Sequence, residues 1–178
     1  MKRTFFAVKA SNQTQKVLNE ITQGFPEFHK KIKIANPGNP HITLKFLGDT
    51  KLDDIPKIDE ILRNAITTIP PFTSVLWLGI TEGLNYLISL HNLLERELEK
   101  FGYAPDNRDF KPHLTYGRIR KQYRKLNSIK DFENLDYGHT INTVEKVIWF
   151  ESILTSKGAL HKPLRQYQLN KISGGENG

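Results

Sequence analysis

The sequence predicts an α+β fold of two pseudo-symmetric lobes, each an antiparallel sheet with helices packed outside it, and a cleft between the lobes. Three observations carry this expectation. Pro40-His41-Ile42-Thr43-Leu44 returns as Pro112-His113-Leu114-Thr115-Tyr116, 72 positions further along. The same offset carries Phe5, in Thr4-Phe5-Phe6-Ala7-Val8, onto Trp77, in Leu76-Trp77-Leu78-Gly79-Ile80. In both halves a strand-like run is followed by a helical pattern and then by the repeated string. An offset that holds at several points marks two equivalent structural units.

Thr4 to Val8 has the aromatic and β-branched composition of a strand, ended by Lys9-Ala10-Ser11-Asn12. Ser11 or Asn12 caps a helix whose apolar residues Val17, Leu18, Ile21 and Phe25 recur at helical spacing, with Gly24 and Pro26 at its end. Turn residues from Asn36 to Pro40 lead into a strand from His41 to Leu47, closed by Gly48-Asp49. Asp53 or Asp54, with Pro56 in the first turn, opens a second helix bearing Ile55, Ile58, Ile61, Leu62, Ala65 and Ile66. Pro70-Pro71 marks the junction between the units.

The second unit begins with a strand from Val75 to Ile80. A helix from Leu84 to about Phe101 follows, with Leu87, His91, Leu94, Leu98 and Phe101 on one stripe and Glu95, Glu97, Glu99 and Lys100 mainly off it. Gly102 ends it. Tyr103 to Lys111 is a loop and His113 to Arg118 the second motif strand. The basic stretch from Arg120 to Lys130 reads as a surface helix or loop, and Val144 to Leu154 and Leu164 to Leu169 as two more strands with a turn at Lys157-Gly158. Residues 1–170 are thus expected to form a single bilobal domain, and 171–178 a flexible tail.

Composition narrows the function classes. The net charge of +7 over 178 residues favours a polyanionic partner or simply a soluble surface. The absence of cysteine excludes disulfides, thiolate metal sites and a cysteine nucleophile, and fits a cytoplasmic location. The run from Phe5 to Val8 is far shorter than the apolar region of a signal peptide. No segment approaches the roughly 20 apolar residues that span a bilayer.

On a strand, side chains alternate with period two, so His41 and Thr43 share one face while Ile42 and Leu44 share the other. His113 and Thr115 repeat the pattern, with Leu114 and Tyr116 on the core side. If an approximate twofold axis relates the units, two imidazoles and two hydroxyls meet across one groove. With an ordinary pKa near 6.5, one imidazole can be neutral and the other protonated, a general base beside a general acid. The hydroxyls supply donors to a phosphoryl oxygen, and Lys45, two residues beyond Thr43, is expected to share their face. No acidic cluster suited to Mg²⁺ or Ca²⁺ accompanies the motifs, and a zinc site lacks a third ligand at a useful spacing. Metal-free phosphodiester chemistry with no cofactor is the reading.

A single His-x-Thr is also what a half-buried strand carries for structural reasons; duplication at a fixed offset favours shared chemistry. His91, on the apolar stripe of a helix, reads as a structural residue. His29, His139 and His161 lack a paired context and read as surface residues. The cluster Arg118, Arg120, Lys121, Arg124, Lys125 and Lys130 is either an RNA-facing patch or a solvated face.

The strings His41-Ile42-Thr43-Leu44-Lys45-Phe46-Leu47-Gly48 and Pro112-His113-Leu114-Thr115-Tyr116-Gly117-Arg118 resemble the two signatures of the 2H phosphoesterase superfamily. More narrowly they resemble the bacterial and archaeal RNA 2',3'-cyclic phosphodiesterases, also called the 2'-5' RNA ligase or LigT-like family. The likeness runs from Arg3 to Ser152 and Gly158. It implies that His41 and His113 are the acid–base pair and that Thr43 and Thr115 hold the phosphate. It further implies that His113 activates the water and His41 protonates the leaving 3' oxygen, giving a 2'-phosphate. Arg118 matches a basic residue common after the second motif, although strand parity puts it off the cleft face. Tyr116 stands where the family usually has Leu, and the segment from Ile66 to Leu76 is shorter than usual. The expected partner is an RNA bearing a 2',3'-cyclic phosphate end, tRNA-like or an oligonucleotide, acted on by a monomer. A 2'-5' ligation, a small cyclic nucleotide substrate and a non-catalytic RNA-end binder are the alternatives.

Overall fold

The computed structural model describes residues 1–24, 26, 31–35, 39–70, 72–77, 79–120, 138–156 and 158–170, with the backbone alone for 72–77, 79 and 119. In chain order these form β1 (Lys2–Lys9), α1 (Asn12–Gly24), β2 (Ile32–Ile34), β3 (His41–Thr50), α2 (Asp54–Ile66), β4 (Phe72–Trp77), β5 (Gly79–Ile80), α3 (Leu84–Glu99), β6 (Gly117–Ile119), β7 (Thr140–Val144), β8 (Lys146–Thr155) and β9 (Gly158–Gln168). The strands make a four-stranded sheet of order β3-β1-β8-β9, a three-stranded sheet β5-β4-β7 and a pair β2-β6. Every pairing is antiparallel, which is the α+β class the sequence predicts.

The repeat is visible in the elements. Helices α1 and α3 begin at Asn12 and Leu84, the same 72 positions apart as the two motifs. The Ser11 hydroxyl accepts the Thr14 amide N–H at 3.2 Å and so caps α1. Gly102, at φ 82°, takes the left-handed conformation that ends the α3 segment.

Beneath the four-stranded sheet lies the main core. Phe6, Val8, Leu44, Val147, Trp149 and Tyr167 meet Ile58, Leu62 and Ile66 of α2 and Leu87, Leu90, Leu94 and Leu98 of α3. Each such side chain removed from water contributes about 1.5–3 kcal/mol. On the opposite face of the sheet Phe5, Ala7, Ile148 and Phe150 form a second cluster. β1 is therefore buried on both sides from Thr4 to Val8, which explains a run of apolar residues without alternation.

The helices do not keep to their own repeat. α1 packs on β7, with the Ser11 hydroxyl donating to the Ile141 carbonyl at 3.1 Å and Thr14 and Thr140 hydroxyls 2.9 Å apart. α3 packs on β3 and on α2. α1 and α3 thus each pack on a strand distant from them in sequence, while α2 covers the sheet that holds β1 and β3.

Several expected elements are redrawn. The run from Val75 to Ile80 is not one strand: it reverses between Trp77 and Gly79, and β5 returns along β4. The run from Val144 to Leu154 is two strands, because the chain leaves the three-stranded sheet after Val144 and enters the four-stranded sheet at Lys146. The second motif is not a continuous strand from His113. Leu114 makes an isolated bridge, and regular pairing begins only at Gly117, opposite Ile34, because β2 is three residues long. The basic stretch from Lys121 to Lys130 and the tail 171–178 lie outside the described residues. Among the described residues no helix is long and apolar enough to cross a membrane.

Gly117 is where the second repeat needs a glycine. A Cβ there would lie 2.6 Å from Ile32 Cγ2 and 3.0 Å from the Lys33 carbonyl oxygen. Gly117→Ala is expected to lower unfolding stability by about 1–3 kcal/mol through overpacking of the β2-β6 pair. Gly24→Ala, whose Cβ would meet nothing within 4 Å, is the control and is expected to cost nothing measurable in the same denaturant titration.

Candidate active site

The two motifs touch at one point, an antiparallel bridge between Ile42 and Leu114. Ile42 is fully buried and Leu114 packs against the same core. In antiparallel register, one step to either side puts His41 opposite Thr115 and Thr43 opposite His113. Alternation along β3 turns His41 and Thr43 away from the core that holds Ile42, and Thr115 lines the same cleft. Residues opposed in this way have Cβ atoms roughly 4.5–5.5 Å apart. His41, Thr43 and Thr115 accordingly line one cleft, and the register sets His113 opposite Thr43.

Both histidines are held by the same local device. His41 Nδ1 is 2.8 Å from the Asn39 carbonyl oxygen, and His113 Nδ1 is 2.8 Å from the Lys111 carbonyl oxygen. A carbonyl only accepts, so each Nδ1 carries the proton and each Nε2 is left for chemistry. The bond is available whether the ring is neutral or charged, so it orients the imidazole through a proton-transfer cycle. Burial pushes the His41 pKa below the ordinary histidine value, opposed in part by the hydrogen bond to Asn39.

An open cleft of about 890 Å³ runs past these residues. His41, Thr43, Thr115 and Arg118 line it, while His113 is exposed and outside its lining. Arg118 is on the cleft wall despite the parity of the expected strand, because residues 113–116 do not follow regular alternation. Tyr116 is displaced for the same reason: it lines the cleft instead of the core, with its hydroxyl 3.1 Å from that of Thr22. Arg3 and Lys33 add two further cations, Lys33 being the register partner of Arg118.

Lys45 is not in the cleft. β1 and β3 pair as Ala7–Thr43 and then Phe6–Lys45, leaving Leu44 without a partner, and this bulge shifts the parity of Lys45 and Phe46, up to a second irregularity that skips Leu47. Leu44 and Lys45 are consequently both buried, and Phe46 instead turns to the cleft. The Lys45 ammonium donates to Glu95 Oε2 at 2.7 Å and to the Ala104 carbonyl at 2.9 Å. Glu95, expected off the apolar stripe of α3, is the inward partner of this ion pair. His91 is structural as expected: its Nδ1–H donates to the carbonyl of the bulged Leu44 at 2.8 Å, and its ring stacks on Phe110 at 4.1 Å.

His161, expected on the surface, lies in the cleft with its ring centroid 5.1 Å from that of His41. Its place on β9 is fixed by pairing with Ser152, a long-range contact that no local sequence pattern announces. Phe46 and Arg3 were equally hidden, and the Arg3 guanidinium sits 4.9 Å from the Phe46 ring centroid. For Phe46 no signal existed, since Leu44-Lys45-Phe46 continues the apolar–polar alternation of the preceding residues and conceals the bulge.

Comparison with known proteins places the chain by class first. The family model described as LigT like Phosphoesterase matches residues 8–76, a stretch that contains His41 and Thr43 and stops short of His113. An RNA 2',3'-cyclic phosphodiesterase of Aquifex aeolicus is 30% identical over 88% of this chain and 93% of its own. One of Archaeoglobus fulgidus is 31% identical over 77% of this chain and 84% of its own. The chain belongs to the LigT-like phosphoesterase family of the 2H superfamily, a family of enzymes. The fold agrees: the crystal structure of E. coli LigT in apo form superimposes with a TM-score of 0.73 at 22% identity, covering 96% of this chain and 98% of that one.

The assignment of Lys45 to the interior has a direct test. Lys45→Met strands the Glu95 carboxylate in a largely buried site and is expected to cost about 3 kcal/mol of unfolding stability. Adding Glu95→Leu is expected to recover most of that loss. A raised KM with unaltered stability would instead return Lys45 to the cleft.

Proposed function

We propose that the protein hydrolyses RNA 2',3'-cyclic phosphate ends to 2'-phosphates without a metal ion, using His41 and His113 as the acid–base pair. The observation that carries this reading is the reciprocal placement of each motif's histidine opposite the other motif's threonine across the Ile42–Leu114 bridge. Relatives named RNA 2',3'-cyclic phosphodiesterase, aligned over most of the chain, support the substrate.

The chemistry follows from what the residues offer. The substrate phosphate is an anion, and Arg3, Lys33 and Arg118 give the cleft its positive side. Thr43 and Thr115 donate to non-bridging oxygens, which gather charge as the phosphorus becomes five-coordinate. Water attacks phosphorus in line with the P–O3' bond. One imidazole takes the water proton at Nε2 as the new P–O bond forms. The other, protonated at Nε2, gives its proton to O3' as the P–O3' bond breaks. The rings finish with exchanged protonation states, which solvent restores. Phe46, 48% exposed on the cleft wall, offers an aromatic face for the nucleobase.

His113 is assigned to the water and His41 to O3'. Burial favours neutral His41 in the empty cleft, whereas a bound phosphate favours the protonated ring. The acid form is therefore produced mainly in the complex.

His41→Ala and His113→Ala are each expected to lower kcat by about 10²- to 10⁴-fold on an oligonucleotide ending in a 2',3'-cyclic phosphate, with EDTA present throughout. Retention of full activity by both variants defeats the reading, and a 3'-phosphate product would exchange the leaving oxygen. The pH dependence supplies a second check. The alkaline limb of kcat is expected at higher pH than that of kcat/KM, which reports the free enzyme, because a bound phosphate favours protonated imidazole. An alkaline limb of kcat that is no higher than that of kcat/KM removes His41 from the acid role.

A further inference from the structure

His161 is a second imidazole in the lining of the cleft, beside His41. β3 and β9 are opposite edges of the four-stranded sheet, yet the sheet brings their side chains together over Phe5 and Phe150. The His161 ring stands edge-on to His41, with centroids 5.1 Å apart and planes at 85°. It is also edge-on to Phe5, at 4.9 Å and 80°. One side of the ring is thus packed into the aromatic floor of the cleft.

The two nitrogens of His161 differ in surroundings. Nδ1 is buried and has no hydrogen-bond partner. Nε2 is therefore the nitrogen on the side that lines the cleft. A buried N–H without an acceptor is the rarer and costlier arrangement, so the proton of the neutral ring belongs on Nε2.

We propose that His161 is a third substrate-contacting imidazole, whose Nε2–H donates an uncharged hydrogen bond to a phosphoryl oxygen of the substrate held beside His41. This rests on the reading that the cleft holds a phosphodiester. The donor has to be uncharged because a fixed cation at this distance would oppose protonation of His41. The surroundings meet that need: burial lowers the His161 pKa first, and the charge of His41 lowers it further, so His161 stays neutral as His41 takes up its proton.

The test uses His161→Phe and His161→Gln, both of which fit a site bounded by Phe5 and Phe150, with thermal melting as the check on folding. On the cyclic-phosphate oligonucleotide, His161→Phe is expected to lower kcat/KM about 10- to 100-fold, the scale of one hydrogen bond to a charged oxygen. His161→Gln, which keeps an N–H near the position of Nε2, is expected to recover to within about fivefold of the parent. The bell-shaped pH profile of the Phe variant keeps both limbs. Parent-like kcat/KM in the Phe variant, or no recovery in the Gln variant, overturns the proposal, and a lost limb makes His161 a proton carrier instead.

A readout independent of turnover is the imidazole ¹⁵N spectrum titrated with inorganic phosphate. The expected result is an Nε2–H tautomer at neutral pH, an Nε2 resonance that moves with phosphate, and weaker phosphate binding in His161→Phe. An Nδ1–H tautomer, or no response, overturns the proposal. If the parent binds phosphate through His161 but leaves the cyclic end intact, the proposed hydrolysis fails while the His161 contact stands.

Discussion

The bridge between Ile42 and Leu114 sets the register on which the rest of the site depends. It joins the central residues of the two motifs, and both residues are anchored in one core. A slip of one residue would turn one motif's histidine and threonine toward that core and its apolar residues toward the cleft. Burial of Ile42, worth about 1.5–3 kcal/mol, opposes such a slip. The geometry of the polar groups is thus enforced by apolar residues that never touch the substrate. The carbonyls of Asn39 and Lys111 complete the arrangement by fixing each ring through Nδ1.

The four-stranded sheet separates two kinds of electrostatics. On the helix side, the cation of Lys45 is matched by Glu95 at 2.7 Å and its charge is spent within the structure. On the cleft side, Arg3 on β1, Lys33 on β2 and Arg118 on β6 converge from three strands. What divides them is the bulge at Leu44, which sends Lys45 to one side and Phe46 to the other. The bulge in turn is stabilised by His91, whose ring supplies the donor for the Leu44 carbonyl. A histidine with no part in catalysis thereby decides which residue follows Thr43 along the cleft wall.

Local patterns in the chain announce much of this. The first helix begins where Ser11 marks it, the α+β class follows from the order of periodic segments, and the repeat singles out His41, Thr43, His113 and Thr115. What stays hidden has identifiable causes. Strand alternation assumes an unbroken ladder, so it misplaces Lys45 beyond a bulge and Tyr116 and Arg118 in a segment with a single bridge. Residues brought in by distant pairing, such as His161 on β9, leave no trace in their neighbours. The exchange of sheets at Glu145 is invisible because Val144 and Val147 are equally apolar on either side of it.

The packing of α1 on β7 and of α3 on β3 bears on how the cleft can move. Two lobes joined only by a linker could open like a jaw, swinging about a hinge. Here α1 and α3 are each fastened to a strand distant from them in sequence, so such a swing would tear apart buried contacts on both sides at once. These contacts oppose an opening of the cleft along the line between the repeats. The main core draws Phe6 and Leu44 from one half of the chain and Leu87 and Leu94 from the other, so each half leaves apolar surface for its counterpart to cover.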